Sequence, residues 1–344
     1  MRKVAAIDGK GQFHVIEEPV PEPKPGQVLI EVGASLISAG TELGGIARRR
    51  ENPSDGPPKP FGYQNSGTVT KLGEGVDRYK VGDRIACMGG GYAQHATHAT
   101  VPVNLSVPIP QGVSFEEAAF CHLAATALMA VRRAGPEFGE NFAIAGLGTV
   151  GQLASQLARL CGTHVVGLDR FPKRLDVAKA LGADAVVNVT DGDPVPKVVG
   201  FCRGHGIDAG IIAFGGDATE CVKQLYAMMN QAPDTHRWGR IVCVGGAKVT
   251  LGLASSLGNV DIRSSARTGP GYHDEAWEHG GEYPDVIVKW HTRRNLEECL
   301  RAMAEGRLKV EPLISDVFAL DEAPVACEKI VSQPSETLAV ILKP

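Results

Sequence analysis

Short apolar runs separated by turn residues dominate residues 1 to about 110. Polar turns such as Asp8-Gly9 and the proline-rich stretch 18–26 separate these runs. Short runs bounded in this way predict β-strands, and their spacing indicates a coiled antiparallel barrel. A long polar loop, residues 38–60, interrupts the pattern and predicts the lip of a site. The runs lie at residues 4–7, 13–16, 28–32, 67–70 and 84–86.

From about residue 115 the pattern changes to strands that alternate with helices. Ser114 and Glu117 form a capping box ahead of a helix predicted over residues 118–131. Further helices are predicted from Pro194 and over residues 218–229. Six strands with intervening helices predict an α/β unit with a doubly wound parallel sheet, which binds ligands at the carboxyl ends of its strands. These strands lie at residues 142–145, 165–168, 185–187, 208–214, 240–244 and 260–264.

A glycine motif links the first two of these strands. Gly146, Gly148 and Gly151 form GxGxxG, with Thr149 and Val150 inside the motif. Gly146 permits a tight turn, Gly148 lets the backbone approach a pyrophosphate, and Gly151 lets the helix pack close to the strand. The first N–H groups of that helix would then face the phosphates. The motif therefore predicts a dinucleotide site.

Asp169 ends the second strand and bears on the choice between NAD and NADP. Its carboxylate can accept from both hydroxyls of an adenosine ribose, whereas a 2′-phosphate would meet a like charge. This favours NAD over NADP. Arg170 and Arg174 act in the opposite direction, because an arginine beside the acid can accommodate a 2′-phosphate. Gly215 and Gly245 each follow a later strand, where they either line the dinucleotide or form ordinary strand-to-helix turns.

The composition bears on several other classes of function. The 344 residues are 43% apolar with a net charge of −4, which suits a two-domain globular protein and gives no electrostatic footprint for nucleic acid or an anionic membrane. We expect no signal peptide, since the first residues lead into a strand, and no run long enough to cross a bilayer. The eight cysteines are spread singly without a CxxC pair, so we expect reduced thiols and a cytoplasmic protein.

Residues 267–284 combine glycines, aromatic residues, histidines and acids. This composition suits a wall that stacks on and hydrogen-bonds a polyhydroxylated ligand. The alternative is a surface excursion without a role in binding. The candidate substrate-binding residues in it are Tyr272, His273, Asp274 and Trp277.

The last part of the chain is expected to rejoin the first domain. After an amphipathic helix at residues 295–304, β-like runs follow at residues 317–318 and 338–342. A β-rich amino-terminal part, a central unit with GLGTVG and a returning carboxyl-terminal segment together resemble the medium-chain dehydrogenase/reductase superfamily. The resemblance covers essentially the whole chain.

This resemblance implies a domain organisation. It implies a GroES-like β-barrel catalytic domain formed by residues 1–122 and 309–344, and a Rossmann domain formed by residues 123–308. It also implies NAD(P)-dependent oxidation of a secondary alcohol, or the reverse reaction. A homodimer that pairs exposed edge strands near residues 260–264 is expected by the same analogy.

Three shorter motifs resemble a narrower subgroup. Residues 38–42, 269–274 and 289–295 look like those of bacteriochlorophyllide a dehydrogenase-like proteins and of the amino-terminal module of bi-domain sugar oxidoreductases. The subgroup implies a polar small-molecule substrate such as a sugar or cyclitol.

The zinc ligands of the superfamily are largely replaced in this chain. In its zinc alcohol dehydrogenases, a Cys-Gly-Thr-Asp-like motif, a Gly-His-Glu motif and a cysteine in the linking helix hold the catalytic metal. Here the first reads Ala39-Gly-Thr-Glu42 and the second Gly62-Tyr-Gln-Asn65, so only Cys121 remains. A catalytic zinc takes about three protein ligands. The resemblance therefore implies a zinc-less member, with a site rebuilt from Cys121, His122 and Glu42 as the alternative.

Without a metal, side chains must move the proton and stabilise charge on the reacting oxygen. Thr41 stands where the family keeps a proton-relay hydroxyl, and Tyr63 stands where a zinc-ligating histidine would point at that oxygen. Tyr63 is the first candidate acid/base, or else a packed tyrosine, and NAD⁺ or a neighbouring cation would have to lower its pKa from about 10. Glu42 as base or orienter and His122 as base are further candidates, with buried structural roles as their alternatives. Gln64, next to Tyr63, is expected to contact substrate.

Together these observations predict a zinc-independent, NAD-dependent dehydrogenase that oxidises a secondary alcohol of a polar metabolite by hydride transfer. An NADPH-dependent quinone, enone or ketone reductase is the alternative, since many zinc-less members of the superfamily catalyse that chemistry. A dinucleotide-binding protein without turnover is an alternative of another class.

Overall fold

The computed structural model describes residues 1–284 and 286–344, and the chain forms two compact units. The first unit contains Met1–Ala125 and Thr268–Pro344, and the second contains Thr126–Arg267. The first unit is therefore discontinuous. It also contains residues 268–308, which the sequence analysis assigned to the second domain.

The described residues form twenty strands. In chain order they are β1 (Arg2–Ile7), β2 (Phe13–Glu18), β3 (Gln27–Ile37), β4 (Lys59–Pro60), β5 (Gln64–Leu72), β6 (Arg84–Met88), β7 (His98–Pro102), β8 (Ser106–Pro108), β9 (Asn141–Ala145), β10 (His164–Asp169), β11 (Ala185–Asn188), β12 (Ala209–Ile212), β13 (Gly216–Asp217), β14 (Asn230–Gln231), β15 (Arg237–Trp238), β16 (Arg240–Val244), β17 (Ala247–Lys248), β18 (Asp261–Ser265), β19 (Ile314–Ala319) and β20 (Ala339–Lys343).

Twelve α-helices lie in the same described ranges, together with short 3₁₀ turns at Val103–Leu105, Glu311–Leu313 and Leu320–Glu322. Across residues 1–284 and 286–344, none of the helices has both the length and the apolar character that a bilayer span requires. The helices are α1 (Ala39–Glu42), α2 (Ile46–Glu51), α3 (Phe115–Ala118), α4 (Cys121–Ala134), α5 (Thr149–Leu160), α6 (Pro172–Ala180), α7 (Pro194–Phe201), α8 (Thr219–Met228), α9 (Leu253–Leu257), α10 (Glu275–Glu278), α11 (Thr292–Ala304) and α12 (Ala323–Ser332).

The first unit is built on a seven-stranded sheet. Its order is β19-β20-β3-β5-β6-β8, with β7 also paired to β3. Irregular pairing of β3 with β5 at Leu29/Ile30 and Val32/Ala34 bends this 11-residue strand, as β-bulges do, so that it can pair with three neighbours. A smaller sheet, β2-β1-β4, lies beside it. The predicted GroES-like barrel, including the returning carboxyl-terminal strands, is confirmed.

Two parts of the first unit differ from the sequence predictions. The loop at residues 38–60 contains α1 and α2, and α1 begins two residues after β3 ends. Residues 268–308 belong to this unit because the buried Asn104 amide donates to the carbonyls of Trp277 and Gly281. The backbone N–H of Gly90 likewise donates to the Tyr272 hydroxyl, 2.8 Å away. These bonds tie the segment to the barrel.

The second unit contains one parallel sheet of six strands, in the order β11-β10-β9-β12-β16-β18. This is the strand order of a doubly wound dinucleotide-binding fold, and it confirms the Rossmann prediction. The core of this second unit lies between the sheet and α7 and α8, where Val166, Val198 and Leu225 pack together.

In the first unit, the predicted capping box at Ser114 and Glu117 is present. It begins the short α3, and the longer helix α4 starts only at Cys121.

Candidate active site

Tyr63 lies immediately before β5, and its hydroxyl group takes part in a small network of side chains. The side-chain hydroxyls of Ser38 and Thr41 and the Glu42 carboxylate lie close enough to the Tyr63 hydroxyl to act on its pKa, the hydroxyls as polar neighbours and the carboxylate through its charge. Burial, followed by the negative charge of Glu42, raises the pKa of Tyr63 well above its usual value. The sequence hypothesis requires NAD⁺ or a neighbouring cation to lower this pKa, whereas burial and the neighbouring carboxylate raise it. Tyr63 is a neutral phenol that can donate a hydrogen bond and pass on a proton.

Glu42 connects this network to the interior of the barrel. Its side chain is 4% exposed, and its Oε2 accepts from the backbone N–H of Ser38 at 2.8 Å. The same oxygen lies 3.1 Å from Nε2 of His95, whose Nδ1 lies 2.9 Å from the Ser35 hydroxyl. The chain of hydrogen bonds thus runs from the Ser38 backbone through Glu42 and His95 to Ser35, which is buried.

Aromatic rings stand beside Tyr63. The His122 ring lies 4.5 Å from the Tyr63 ring between centroids and 6.1 Å from that of Tyr272. Tyr272 in turn stacks on His273 at 3.9 Å. His273 has a φ of +75°, in the left-handed region that a residue with a side chain seldom adopts, and its N–H donates to Glu278 Oε1 at 2.7 Å. The structure therefore brings four of the predicted residues into one aromatic cluster.

His122 is held as a neutral ring. Its Nδ1 lies 3.2 Å from the carbonyl oxygen of Tyr63, which fits an Nδ1–H donor. Burial lowers its pKa to about 4. A base with so low a pKa is too weak to take a proton from an alcohol near neutral pH. We therefore assign His122 to the wall of the site.

The pKa of His122 predicts a pH-dependent stability. Between about pH 6.5 and 4 the unfolded chain binds a proton at this histidine that the folded chain does not, so stability falls as pH falls. The full effect is roughly 3 kcal/mol. In His122→Asn, whose amide can still donate to Tyr63, we expect Tm to fall less steeply over this range. The exposed His236 supplies the control, and His236→Asn should retain the wild-type slope.

The other three predicted substrate-binding residues belong to the scaffold. Gln64 is fully buried and its amide donates to the carbonyl of Leu36 at 3.0 Å. Asp274 caps α10 and accepts from the Tyr283 hydroxyl. Trp277 is 2% exposed and stacks with Tyr283. The contacts of Asp274 and Trp277 position the segment that carries Tyr272 and His273, whereas Gln64 supports the barrel strands.

In the second unit the glycine motif has the geometry that its spacing predicts. Gly146 has a φ of +89° and forms the turn after β9. A Cβ atom on Gly151 would lie 1.8 Å from the Gly146 carbonyl oxygen, so α5 packs directly against this turn. Gly148 is the N-cap of α5, and a Cβ atom there would come no closer than 3.9 Å to the Arg174 guanidinium. Thr149 and Val150 form the first turn of α5, next to this open backbone.

Asp169 ends β10 and is 7% exposed. Its two carboxylate oxygens accept from the backbone N–H groups of Leu147, at 2.6 Å, and Phe171, at 2.9 Å. The carboxylate therefore ties the glycine turn to the end of β10, and its remaining lone pairs could accept from ribose hydroxyls. Arg174 Nη1 lies 3.9 Å from Asp169 Oδ2, and the guanidinium groups of Arg170 and Arg174 both lie within 5 Å of the Phe171 ring centroid, at 4.7 and 4.8 Å.

The two later glycine turns contact each other. The N–H of Gly216 donates to the carbonyl of Gly246 at 3.1 Å, and β13 pairs with β17 directly after these turns. A Cβ atom on Gly215 would meet only ordinary contacts at 3.9 Å, whereas Gly245 has a φ of +77°. The turn at residue 245 thus requires glycine because of its positive φ. The two turns are hydrogen-bonded to each other and form part of the folded unit.

Comparison with known proteins identifies both units. The model for the alcohol dehydrogenase GroES-like domain matches residues 24–122, and the model for the zinc-binding dehydrogenase domain matches residues 149–282. The two domains place the chain in the medium-chain dehydrogenase/reductase superfamily. It is an oxidoreductase of this superfamily.

Individual members of the superfamily resemble the chain over nearly its full length. An alcohol dehydrogenase of Geobacillus stearothermophilus is 29% identical, with 92% of this chain and 95% of the relative covered. A sorbitol dehydrogenase of Bacillus subtilis is 24% identical, with 99% and 97% covered. The solved structure of the alcohol dehydrogenase from Thermus sp. ATN1 superposes with a TM-score of 0.79 at 22% identity, covering 99% of both chains, and shows the shared fold.

The superfamily implies a catalytic zinc, but the donor atoms of this chain do not fit one. Within residues 1–284 and 286–344, no three His, Cys, Asp or Glu side chains gather as metal ligands would. Cys121 is buried, which raises its pKa well above that of a free thiol, and its Sγ is 3.6 Å from the carbonyl of Leu296. His122 faces a carbonyl and Glu42 faces His95. The alternative site built from these three residues is therefore not assembled.

His95 and Ser38 are the site residues that sequence analysis missed. The contact between Glu42 and His95 joins residues 53 positions apart, and it depends on the pairing of strands around β3 rather than on any motif. The only signal in the sequence is a single histidine between Gln94 and Ala96, shortly before β7. Such a residue is more often a buried core histidine than part of a proton path.

Proposed function

We propose that this member of the superfamily is a zinc-independent, NAD-dependent dehydrogenase that oxidises a secondary alcohol of a polar metabolite. The observation that carries the proposal is the Tyr63 hydroxyl, which has the Ser38 and Thr41 hydroxyls and the Glu42 carboxylate close to it. It stands at a position where the superfamily has a zinc ligand. A hydroxyl network with a carboxylate behind it can perform the two tasks that the metal otherwise performs, namely binding the reacting oxygen and removing its proton.

The roles of the residues follow from their protonation states. Tyr63 is neutral, so it binds the substrate oxygen as a hydrogen-bond donor and stabilises negative charge that develops there. It accepts the proton of the alcohol only as its own proton moves on toward the Glu42 carboxylate. Thr41 is exposed and provides the exchange of that proton with solvent.

The second unit fits a dinucleotide. The close packing of Gly151 on Gly146 and the open backbone at Gly148 leave the start of α5 accessible to a pyrophosphate. Asp169 fixes this turn through the N–H of Leu147 and can bind ribose hydroxyls with its remaining lone pairs. When bound, NAD supplies the nicotinamide carbon that accepts the hydride.

A polyol, sugar or cyclitol is the substrate class that we propose. The stacked pair Tyr272 and His273 offers ring faces and polar edges to such a ligand. The similarity to a sorbitol dehydrogenase supports this class, although at 24% identity it does not identify the substrate.

The alternative, an NADPH-dependent ketone, enone or quinone reductase, has one specific observation in its favour. Arg170 and Arg174 both lie against Phe171, just beyond Asp169, where two guanidinium groups could bind a 2′-phosphate. A protonated Tyr63 could equally donate to the carbonyl oxygen of a substrate that is being reduced. We retain NAD as the proposed cofactor because Asp169 lies closest to the glycine turn.

We also propose that the protein forms a homodimer and acts in the cytoplasm. Among residues 1–284 and 286–344, strand β18 pairs with β16 alone and has several exposed residues, so its other edge can pair with a second copy. No disulfide joins any of the cysteines in residues 1–284 and 286–344, which is consistent with a reducing compartment.

One set of assays tests the proposed function. Purified protein with a measured zinc content is supplied with a panel of sugars, polyols and cyclitols, with NAD or NADP, and with or without a chelator. We expect NAD-dependent turnover from protein with far less than one zinc per chain, and no loss of rate with chelator. Tightly bound stoichiometric zinc that is needed for activity would refute the metal-free proposal, and a preference for NADPH with a carbonyl panel would select the alternative.

A further inference from the structure

One oxygen of Glu42 stands out among the buried polar atoms. Oε2 is bonded to the N–H of Ser38 and to the ring of His95, whereas Oε1 is buried and has no hydrogen-bond partner in the described part of the chain. Burying a carboxylate oxygen without a donor costs stability, and most buried polar atoms in proteins are paired. An oxygen kept in this state, one residue from Thr41 and close to Tyr63, requires an explanation.

His95 fixes the carboxylate in this position. The ring is completely buried, with Nε2 at 3.1 Å from Glu42 Oε2 and Nδ1 at 2.9 Å from the Ser35 hydroxyl. A neutral ring protonated on Nε2 satisfies both bonds, because Nε2–H donates to Glu42 and Nδ1 accepts from Ser35. The edge of the ring also packs on Phe61, with centroids 5.0 Å apart. The ring therefore has no freedom to turn away from Glu42.

We propose that Glu42 Oε1 is the atom that receives the proton released during alcohol oxidation, and that His95 is the positioning residue that holds the carboxylate by its other oxygen. The inference rests on the proposed function and deepens it. The alcohol proton passes to Tyr63 while the phenol proton of Tyr63 moves on to Glu42, where Oε1 is the oxygen that has no donor in the described part of the chain. The carboxylate becomes a carboxylic acid, and NAD⁺, which the glycine turn and Asp169 would hold, would supply the hydride acceptor. Charge and protons balance without another reactant.

The titratable groups around Glu42 are compatible with this assignment. His95 and Tyr63 face it within the barrel, and Cys327 faces it from α12. Burial is the main cause and the Glu42 charge a further cause of the raised pKa of Cys327, so this residue remains a neutral thiol. Tyr63 likewise remains a neutral phenol.

The decisive comparison uses Glu42→Gln, His95→Gln and His95→Leu. His98→Gln is the matched control, since His98 lies on β7 and its ring bonds only to the neighbouring Thr97 among the contacts seen. For each variant, kcat, KM and the pH profile of kcat/KM are measured with NAD and the best alcohol of the panel. We expect Glu42→Gln to lower kcat about 100-fold with KM changed less than about threefold, and to abolish the acidic limb of the profile.

The two His95 variants test whether His95 positions Glu42 for the reaction or only stabilises the fold. His95→Gln keeps a donor for Glu42 and an acceptor for Ser35, so we expect kcat within about threefold of wild type but an acidic limb displaced by roughly one pH unit. His95→Leu should lower kcat about tenfold, because Glu42 is no longer held. A His95→Leu protein with a lowered Tm but an unchanged kcat and pH profile would overturn the assignment. So would a Glu42→Gln protein that keeps its acidic limb.

A measurement without substrate distinguishes this inference from the proposed function. NADH binding by fluorescence and Tm at pH 7 are recorded for the Glu42→Gln and His95→Gln single variants and for the double variant. Non-additive changes in Tm, with NADH binding intact, would support the coupled pair even if no alcohol of the panel is oxidised. Additive changes would overturn the pair. Absence of both NADH binding and turnover in the wild type would instead refute the proposed function.

Discussion

Replacement of Tyr63 by phenylalanine is expected to lower kcat by at least ~100-fold while leaving the affinity for NADH unchanged. The variant loses one oxygen atom, but that atom is the donor to the reacting oxygen and the link between substrate and Glu42. The ring of Tyr63 still packs on His122, so the fold should be retained. Steady-state kinetics with NAD and a polyol, combined with NADH fluorescence titration, measure both quantities.

Tyr79 provides the control for this substitution. Its hydroxyl is also buried and lies 3.2 Å from the Ser106 hydroxyl, and burial likewise raises its pKa, but it lies outside the Tyr63 network. Tyr79→Phe should therefore cost about 1 kcal/mol of stability and leave kcat unchanged. If Tyr63→Phe and Glu42→Gln both keep near-wild-type turnover, the proton path through these side chains is wrong.

The cofactor unit could be predicted from the sequence because its constraints are local. The positive φ of Gly146 and the 1.8 Å approach at Gly151 are both properties of a turn within a few residues of chain. Glycine is the residue that tolerates such geometry, so the motif itself encodes it. The same holds for the capping box of Ser114 and Glu117, which acts across three residues.

The proton network could be predicted only in part. Tyr63, Thr41 and Glu42 were identified because they occupy positions where related proteins have ligands or relays. The direction of the Tyr63 pKa could not be read from the sequence, since it depends on burial and on a carboxylate brought close by folding. His95 reaches Glu42 only because long-range strand pairing in the barrel places the two together.

The segment at residues 267–284 shows why composition alone assigns roles poorly. Its aromatic and acidic residues suggested one continuous binding wall. In the structure Trp277 and Asp274 make the contacts that fold the segment, and Tyr272 and His273 lie beside His122. The same residue types occur in segments that support a site and in segments that line it. Only their packing in the folded protein distinguishes the two roles.

The second large effect is expected at Gly151. A Cβ atom there would lie 1.8 Å from the carbonyl oxygen of Gly146 and 2.9 Å from its carbonyl carbon, both backbone atoms that cannot turn aside. In Gly151→Ala, α5 must therefore move away from the turn after β9. We expect a loss of roughly 3 kcal/mol in the free energy of unfolding and the loss of detectable NADH binding, measured by urea denaturation and fluorescence titration.

Substitutions at two further glycines distinguish an effect on helix packing from an effect on cofactor binding. At Gly148 a Cβ atom meets only the Arg174 guanidinium at 3.9 Å, and φ is −67°, so Gly148→Ala should fold with near-wild-type stability. It should nevertheless weaken NADH binding, because the added methyl group occupies the space through which the backbone approaches the pyrophosphate. Gly200 lies in α7 with nothing near its Cβ position, so Gly200→Ala should leave binding unchanged and add up to roughly 1 kcal/mol of stability.

The three variants together test whether the start of α5 is the dinucleotide site. If Gly148→Ala and Gly151→Ala both lose binding but only the second loses stability, the loss at Gly148 is due to contact with the cofactor, since the fold is intact. If Gly148→Ala binds NADH as tightly as the wild type, the pyrophosphate does not approach the backbone at the N-cap of α5. The motif would then be a packing device alone, and the hydride acceptor would have to bind elsewhere.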